Sequence, residues 1–294
     1  MVTPTRRLDG RPIAELLHAE TRQRIEAAPN AARRPVLASV HRPVDGPFEV
    51  YRRRQAKIAE SLGVQFRDES LAPNDTAKEL AERVRQLAAD PGVHAVLVEH
   101  PLPAEFSFPA AVDQLPLEKD VDGVSAHSLG RLATHRALHV PAVARAAVRI
   151  ARHYGVLAPG EPALVLGRSE TVGLPLALLL LERGVDATVT VAHSKSSDLR
   201  RALQSARTIY SCVGRAGLLD RSNVPEGATV IDVGLSTGPD PARPGSMRSV
   251  GDAAPTLEGW AGALTPVPGG VGPVTVAELM HSVVAAGGRL ERIP

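Results

Sequence analysis

The chain has 294 residues, enough for two domains that each bury their own core. Hydrophobic residues make up 44% and charged residues 22%, ordinary values for a globular protein, and a formal charge of +2 is too slight to demand nucleic acid or an anionic membrane as partner. Aromatics are only 3%, so the cores must be built from Val, Leu, Ile and Ala, and the single cysteine, Cys212, excludes an intrachain disulfide and any multi-cysteine zinc site.

The amino end, MVTPTRRLDG, lacks the apolar stretch of a secretory signal. The longest apolar run, Leu174 to Leu181, is far shorter than the roughly 20 residues that cross a bilayer. A cytoplasmic protein is expected. Strands are predicted at Val36–Val40, Val64–Ser70 and Val93–Val98, with helices around Phe48–Leu62 and Asp75–Ala88 between them. Asn74 or Asp75 is the candidate N-cap of the second helix, and Lys78 and Glu82 stand one turn apart on it.

The second half repeats the rhythm, with predicted strands at Ala163–Gly167, Ala187–His193, Thr208–Gly214 and Thr229–Gly234. Alternation of this kind signals parallel sheets wound with crossover helices, so the predicted fold class is α/β with two lobes. A helical stretch, Ala142–Tyr154, followed by the turn-rich Gly155–Pro162, reads as the joint. The expected division is residues 1–141 for the first lobe, 142–273 for the second, and a final helix from Val274 to about Ala286 within a returning segment, 274–294.

The most informative segment is ALVLGRSETVGLPLALLLLERG, in which a strand ends at Gly167 and an apolar helix runs to about Arg183 before Gly184 stops it. Gly167 and Gly173 permit close approach of backbone to a phosphate, and the helix start supplies free N–H groups. The spacing G-x-S-x-x-x-G departs from G-x-G-x-x-G, so a tight turn needing small residues explains the loop equally well. After the next strand an NAD site carries an acid for the ribose 2′-hydroxyl. Here the chain reads His193-Ser194-Lys195-Ser196-Ser197, with no acid before Asp198. Hydroxyls and a lysine suit a 2′-phosphate and favour NADP, although Lys195 on a loop is also at home in solvent.

These residues resemble the bifunctional methylenetetrahydrofolate dehydrogenase/methenyltetrahydrofolate cyclohydrolase family. The matching strings are VLGRSETVGLPLALLLL, TVTVAHSKSSDL, VIDVG and TPVPGGVGPVTVAELM, joined in the first half by EKDVDGVSAHSLGRL, VLVEHPLP and the helix carrying Tyr51. The resemblance implies a folate cleft between an N-terminal α/β lobe and a Rossmann-type lobe that binds NADP, in a homodimer. It further implies hydride transfer from 5,10-methylenetetrahydrofolate, followed by hydrolysis of the methenyl product to 10-formyltetrahydrofolate. By the same likeness Gly167, Arg168, Ser169 and Gly173 hold the cofactor phosphates, and His193, Ser194 and Lys195 meet the adenosine ribose. Val213, Gly214 and Leu235 line the path to the nicotinamide. Tyr51, Glu99 and Asp122 meet the folate, and the loop Pro268 to Pro273, with Gly269 and Gly270, closes over both ligands.

Departures gather in the substrate pocket. Gln55 replaces the family's catalytic lysine, Glu99 its glutamine, His100 an apolar residue and Phe48 a serine, while Leu138 to Pro141 stand for its PCTP segment. Tyr51 and Gln55 share a helix face, whereas Arg53 and Lys57 lie two residues from Gln55 and point away. The run Arg52-Arg53-Arg54 is expected to be a solvated face, since no aromatic residue is interleaved for bases to stack on. Hydride loss needs orientation more than proton transfer, whereas hydrolysis needs an activated water. A weak or lost cyclohydrolase is therefore expected, with Glu99 as a substitute base or a ligand-selecting carboxylate. An altered one-carbon substrate and a non-catalytic binding protein are the rival readings. No metal is expected: His135 and His139 lack the glutamate of a metalloprotease motif and read as surface histidines, and Cys212 reads as a buried hydrophobe inside a strand.

Overall fold

The computed structural model describes residues 4–27, 34–43, 47–100, 102–103, 105–240, 243 and 245–289. By contacts the chain divides into two units, Met1–Ala14 with Val143–Thr275 and Glu15–Ala142 with Val276–Pro294. This differs from the expected division at the amino end, and backbone pairing explains why. Strand β1 (Arg6–Arg7) pairs in parallel with a strand of the second half at Ala263 and Leu264, and the Gly10 N–H donates to the Gly269 carbonyl at 2.9 Å.

After helix α1 (Arg11–Ala27) the chain alternates as the spacing predicts: β2 (Val36–His41), α2 (Pro47–Ser61), β3 (Gln65–Ser70), α3 (Ala77–Ala89) and β4 (Ala95–Val98). Strand β2 lies between β3 and β4 in a three-stranded parallel sheet, so both its edges are paired, and its whole length is buried. Ala38 and Val40 pack with Leu80, Val84 and Val98, while Leu37 turns the other way toward Ala59 and Leu62. The N-cap of α3 is Thr76, in a capping box with Glu79. Asp75 does not take that place, because its carboxylate accepts the Ala72 N–H at 2.7 Å in the preceding turn. Short helices α4 (Phe108–Val112) and α5 (Ala126–Ala133) follow, then α6 (Ala142–His153).

The second unit runs β5 (Pro162–Leu166), α7 (Gly173–Leu180), β6 (Thr188–Ala192), α8 (Leu199–Gln204), β7 (Thr208–Ser211) and β8 (Thr229–Asp232). The antiparallel pair β9 (Ser236–Pro239) and β10 (Met247–Val250) comes next, then β11 (Ala263–Leu264) and α9 (Val271–Val284). The six-stranded sheet has the order β1-β11-β8-β7-β5-β6, parallel throughout. Leu164, Leu166, Ile209 and Val230 are at most 2% exposed, each contributing about 1.5–3 kcal/mol of burial. Helix α7 ends at Leu180, short of the predicted Arg183, because Val185 and Asp186 turn back onto the Glu182 carbonyl. Helix α9 begins at Val271 rather than Val274; its later residues Leu279, Met280, Val283 and Val284 complete the core around Leu37. Of the expected returning segment, residues 290–294 lie outside the described residues. Among the described residues no helix is long and apolar enough to cross a membrane.

Candidate active site

In the three-stranded unit the carboxyl ends of the parallel strands become polar, as binding sites on such sheets require. The face of β2 that carries Leu37 continues with Ser39 and His41, both buried. The Ser39 hydroxyl donates to Glu99 Oε1 at 3.1 Å, just past β4, and His41 Nε2 lies 2.6 Å from Asp68 Oδ1 on β3. Over them runs α2. Its residues Tyr51 and Gln55 stand one turn apart on the same face, the Gln55 amide near enough to moderate the upward shift of the Tyr51 phenol. Gln55 is 2% exposed, yet its Oε1 has no hydrogen-bond partner, which marks it as an acceptor aimed at something the protein itself does not supply.

Glu99 and Asp122 complete the cluster. Burial raises the Glu99 carboxyl to about 7, helped by Asp122 and opposed by the Ser39 hydrogen bond. Burial likewise raises Asp122 to about 7 although the Ala142 N–H donates to its Oδ1 at 3.1 Å. Burial and the two carboxyls push the Tyr51 phenol up, so it stays protonated. The structure thus brings Tyr51, Gln55, Glu99 and Asp122 together. Asp120, two residues before Asp122, turns inward instead and accepts from Val124 N, Ser125 N and Ser128 Oγ at 3.2, 3.0 and 2.6 Å. It fixes the turn that presents Asp122, where Gly123 has φ 63° and a Cβ would sit 2.6 Å from the His139 carbonyl.

The arginine run is not uniformly solvated. Arg53 is 72% exposed, and Arg54 and Lys57 are also exposed, but the Arg52 side chain is only 14% exposed. It bonds Glu49 at 3.0 Å and Asp68 at 2.8 Å, because helical spacing turns it toward β3. Hydrogen bonds from Arg52 and Arg53 hold the Glu49 carboxyl down at about 2. His41, Phe48, Glu49, Arg52, Glu99 and His100 line a depression beside the cluster. Ser39, His41, Asp68 and Asp120 are members that the sequence reading missed; the period-two polarity of ASVH signals only Ser39 and His41.

In the other unit, Gly167 has φ 110° and a Cβ there would stand 2.8 Å from the Cys212 carbonyl; one on Gly173 would stand 2.3 Å from the Gly167 carbonyl. The two glycines therefore let the loop fold tightly against the start of α7. Arg168 and Ser169 are exposed, and Ser169 Oγ accepts from Val172 N and Gly173 N at 3.2 and 3.3 Å. Past β6, the His193 N–H donates to Ser196 Oγ and the Lys195 N–H to His193 Nδ1, which leaves the Ser194 and Lys195 side chains exposed. Asp198, the first acid after that strand, caps α8 by accepting the Arg201 N–H at 2.8 Å. Val213, Gly214 and Leu235 gather at the ends of β7 and β8, where the Ser236 hydroxyl donates to the Gly214 carbonyl at 2.6 Å. Behind them lie Asp232 and Asp252, also missed.

The expected loop Pro268–Pro273 is shorter than predicted, since Val271, Gly272 and Pro273 form the first turn of α9. Pro268 follows a cis bond, Gly269 has φ 114°, and the Gly270 N–H donates to the Pro266 carbonyl at 2.7 Å. His139 is buried rather than on the surface, and α5 ends before His135, so the two histidines share no helix face. Cys212 is half-buried just past β7 rather than inside it, its thiol pushed up by burial. Among the described residues no group of His, Cys, Asp and Glu could hold a metal ion.

Comparison with known proteins places these two sites in a family. The catalytic domain of tetrahydrofolate dehydrogenase/cyclohydrolase matches residues 8–122, and its NAD(P)-binding domain matches residues 141–290. The bifunctional protein FolD of Nocardia farcinica is 40% identical over 283 residues, covering 96% of this chain and 97% of its own. That of Thermotoga petrophila is 38% identical over 282 residues, covering 96% and 98%. The methylenetetrahydrofolate dehydrogenase-cyclohydrolase of Trypanosoma brucei, solved with NADP cofactor and inhibitor, is 31% identical with a TM-score of 0.90 over 98% of each chain. The bifunctional enzyme of Thermoplasma acidophilum is 32% identical with a TM-score of 0.85 over 96% of this chain and 98% of its own. The expected weakening of hydrolysis draws no support from these relatives: the two FolD proteins are named as bifunctional, and the two solved enzymes are named for both activities. The chain belongs to the tetrahydrofolate dehydrogenase/cyclohydrolase family.

Proposed function

We propose that the protein oxidises 5,10-methylenetetrahydrofolate to its 5,10-methenyl form with NADP as partner, and that the family's hydrolytic step uses the same acidic cluster. The observation that carries this reading is the match to both family domains along almost the whole chain. The loop Gly167–Gly173 fits a dinucleotide, because its bare backbone and exposed Arg168 lie at the start of α7, where an anion is favoured. Exposed Ser194 and Lys195 suit a 2′-phosphate, and Asp198 is committed to its helix cap. The dinucleotide, when bound, supplies the hydride acceptor.

Losing hydride leaves the methylene carbon with positive charge shared by two flanking nitrogens. Glu99 and Asp122, where ionised, offset that charge in a site of low polarity. Tyr51, kept protonated, can donate a hydrogen bond to folate, and Gln55 contributes its free acceptor. Hydrolysis needs a base for the attacking water, and a carboxyl titrating near 7 is matched to that task at neutral pH. Glu99 takes this role in our reading. The substrate lobe is assigned to residues 15–142 with 276–294 and the nucleotide lobe to 143–275 together with residues 1–14, in a cytoplasmic homodimer, which fractionation and light scattering test.

Purified protein is assayed with methylenetetrahydrofolate and either NADP or NAD, following methenyl formation separately from methenyl decay. Turnover preferring NADP is expected; no methenyl product with either nucleotide overturns the reading. An altered one-carbon substrate is the second reading, favoured by the carboxyl at Glu99 and the ring of His100 at the depression. NADP binding with no turnover of methylenetetrahydrofolate, together with hydride transfer from another one-carbon substrate, would establish it instead.

A further inference from the structure

Asp252 is a charged side chain with no exposure at all, and its surroundings are unusual. Its Oδ2 accepts from Ser211 Oγ at 2.6 Å, Val213 N at 3.0 Å and Gly214 N at 3.3 Å, and its Oδ1 accepts from Arg215 N at 2.6 Å. Successive backbone N–H groups converging in this way form an anion nest, and here the anion is the protein's own carboxylate. Gly214 supplies the positive φ, 71°, that turns its N–H inward.

Asp252 is in turn held by Asp232, whose two oxygens accept from Asp252 N at 3.0 Å and Ala253 N at 2.8 Å. Each aspartate faces a glycine that leaves it room. A Cβ on Gly234 would lie 2.2 Å from Asp252 Oδ1, and one on Gly251 would lie 2.0 Å from Asp232 Oδ2. Residues 20 to 41 apart thus lock three segments, the ends of β7, β8 and β10, around two buried carboxylates. The outer face of the same turn presents the Val213 side chain, 46% exposed, and the bare Gly214 next to Leu235, 41% exposed.

We propose that Asp252 is a positioning residue for the dinucleotide, its carboxylate fixing the Val213–Arg215 turn so that Val213 and Gly214 present a set surface to the nicotinamide end. The proposal rests on the NADP reading given above. It assigns Asp252 no contact with cofactor or substrate. What distinguishes it from a general structural part is that the nest needs an anion, whichever molecule carries it.

The test compares full-length wild type with Asp252→Ala, measuring NADP binding, KM for both substrates and the effect of added formate. The variant leaves three N–H groups and a hydroxyl without their acceptor, so NADP affinity is expected to fall by about ten-fold or more while the folate KM stays within about two-fold. Formate, small enough to refill the nest, is expected to restore much of the loss. It should not rescue Asp252→Asn, whose amide still fills the space. If Asp252→Ala does not fold, Ser211→Ala takes its place, removing one donor to the carboxylate and raising the NADP KM alone by about three-fold. Unchanged NADP binding in the alanine variant, equal loss for both substrates, or no response to formate overturns the proposal, as does an unchanged NADP KM in Ser211→Ala. Wild type that binds no NADP removes the functional reading itself, a different result from wild type and Asp252→Ala binding it equally.

Discussion

Replacing Glu99 by glutamine isolates the electrostatics of the acidic cluster, because the amide keeps the shape and its oxygen still accepts from Ser39 Oγ. Folding raises the Glu99 carboxyl from 4.5 to about 7. The folded protein therefore holds that proton more tightly than the unfolded chain. The associated stability is fully present below about pH 4.5 and is lost as pH rises through about 7. At about 1.4 kcal/mol per pH unit the full shift amounts to roughly 3 kcal/mol, and the part of the side chain still in contact with water reduces this to about 2. The glutamine variant escapes the loss. Its advantage over wild type is expected to grow from near zero at about pH 4.5 to about 2 kcal/mol at about pH 8. Urea unfolding followed by far-ultraviolet circular dichroism across that range measures it. A difference independent of pH, or one that shrinks as pH rises, refutes the reasoning that burial governs Glu99. Asp122, shifted in the same direction, supplies the pH dependence that remains.

Other residues give narrower tests. Lys195→Ala should raise the KM for NADP by about ten-fold while leaving NAD unaffected, as loss of a charge-assisted bond to a 2′-phosphate requires; equal effects on both nucleotides would place Lys195 in solvent only. Gly173→Ala puts a methyl group 2.3 Å from the Gly167 carbonyl. It should destabilise the fold by about 2 kcal/mol in urea titration and weaken nucleotide binding more than folate binding. Gln55→Lys adds an ammonium within the cluster of Glu99 and Asp122, and should accelerate methenyl decay by about ten-fold relative to methenyl formation. If both rates move together, residue 55 does not govern the hydrolytic step.

The alternation of Val-rich runs with helical periods was sufficient to set two α/β units, because hydrophobic period is a local property that survives in any parallel sheet. The strings around Gly167, Asp122 and Pro268 carried the family, and the helical spacing of Tyr51 and Gln55 placed both on one face. The antiparallel pair β9–β10, with its mixed burial, had no such period and was invisible, as was β1, two arginines that are a strand only through their pairing with β11. Tertiary structure also decided which charges are buried. Arg52 looks no different from Arg53 along the chain, yet one bonds Asp68 on a neighbouring strand and the other faces water. His41 with Asp68, Ser39 with Glu99, and Asp232 with Asp252 are pairs separated by 27, 60 and 20 residues. Periodicity tells which side of an element faces inward; only the packed sheet brings distant carboxylates and their donors within hydrogen-bonding reach, and burial there raises Glu99 and Asp232 above the ordinary carboxylate range.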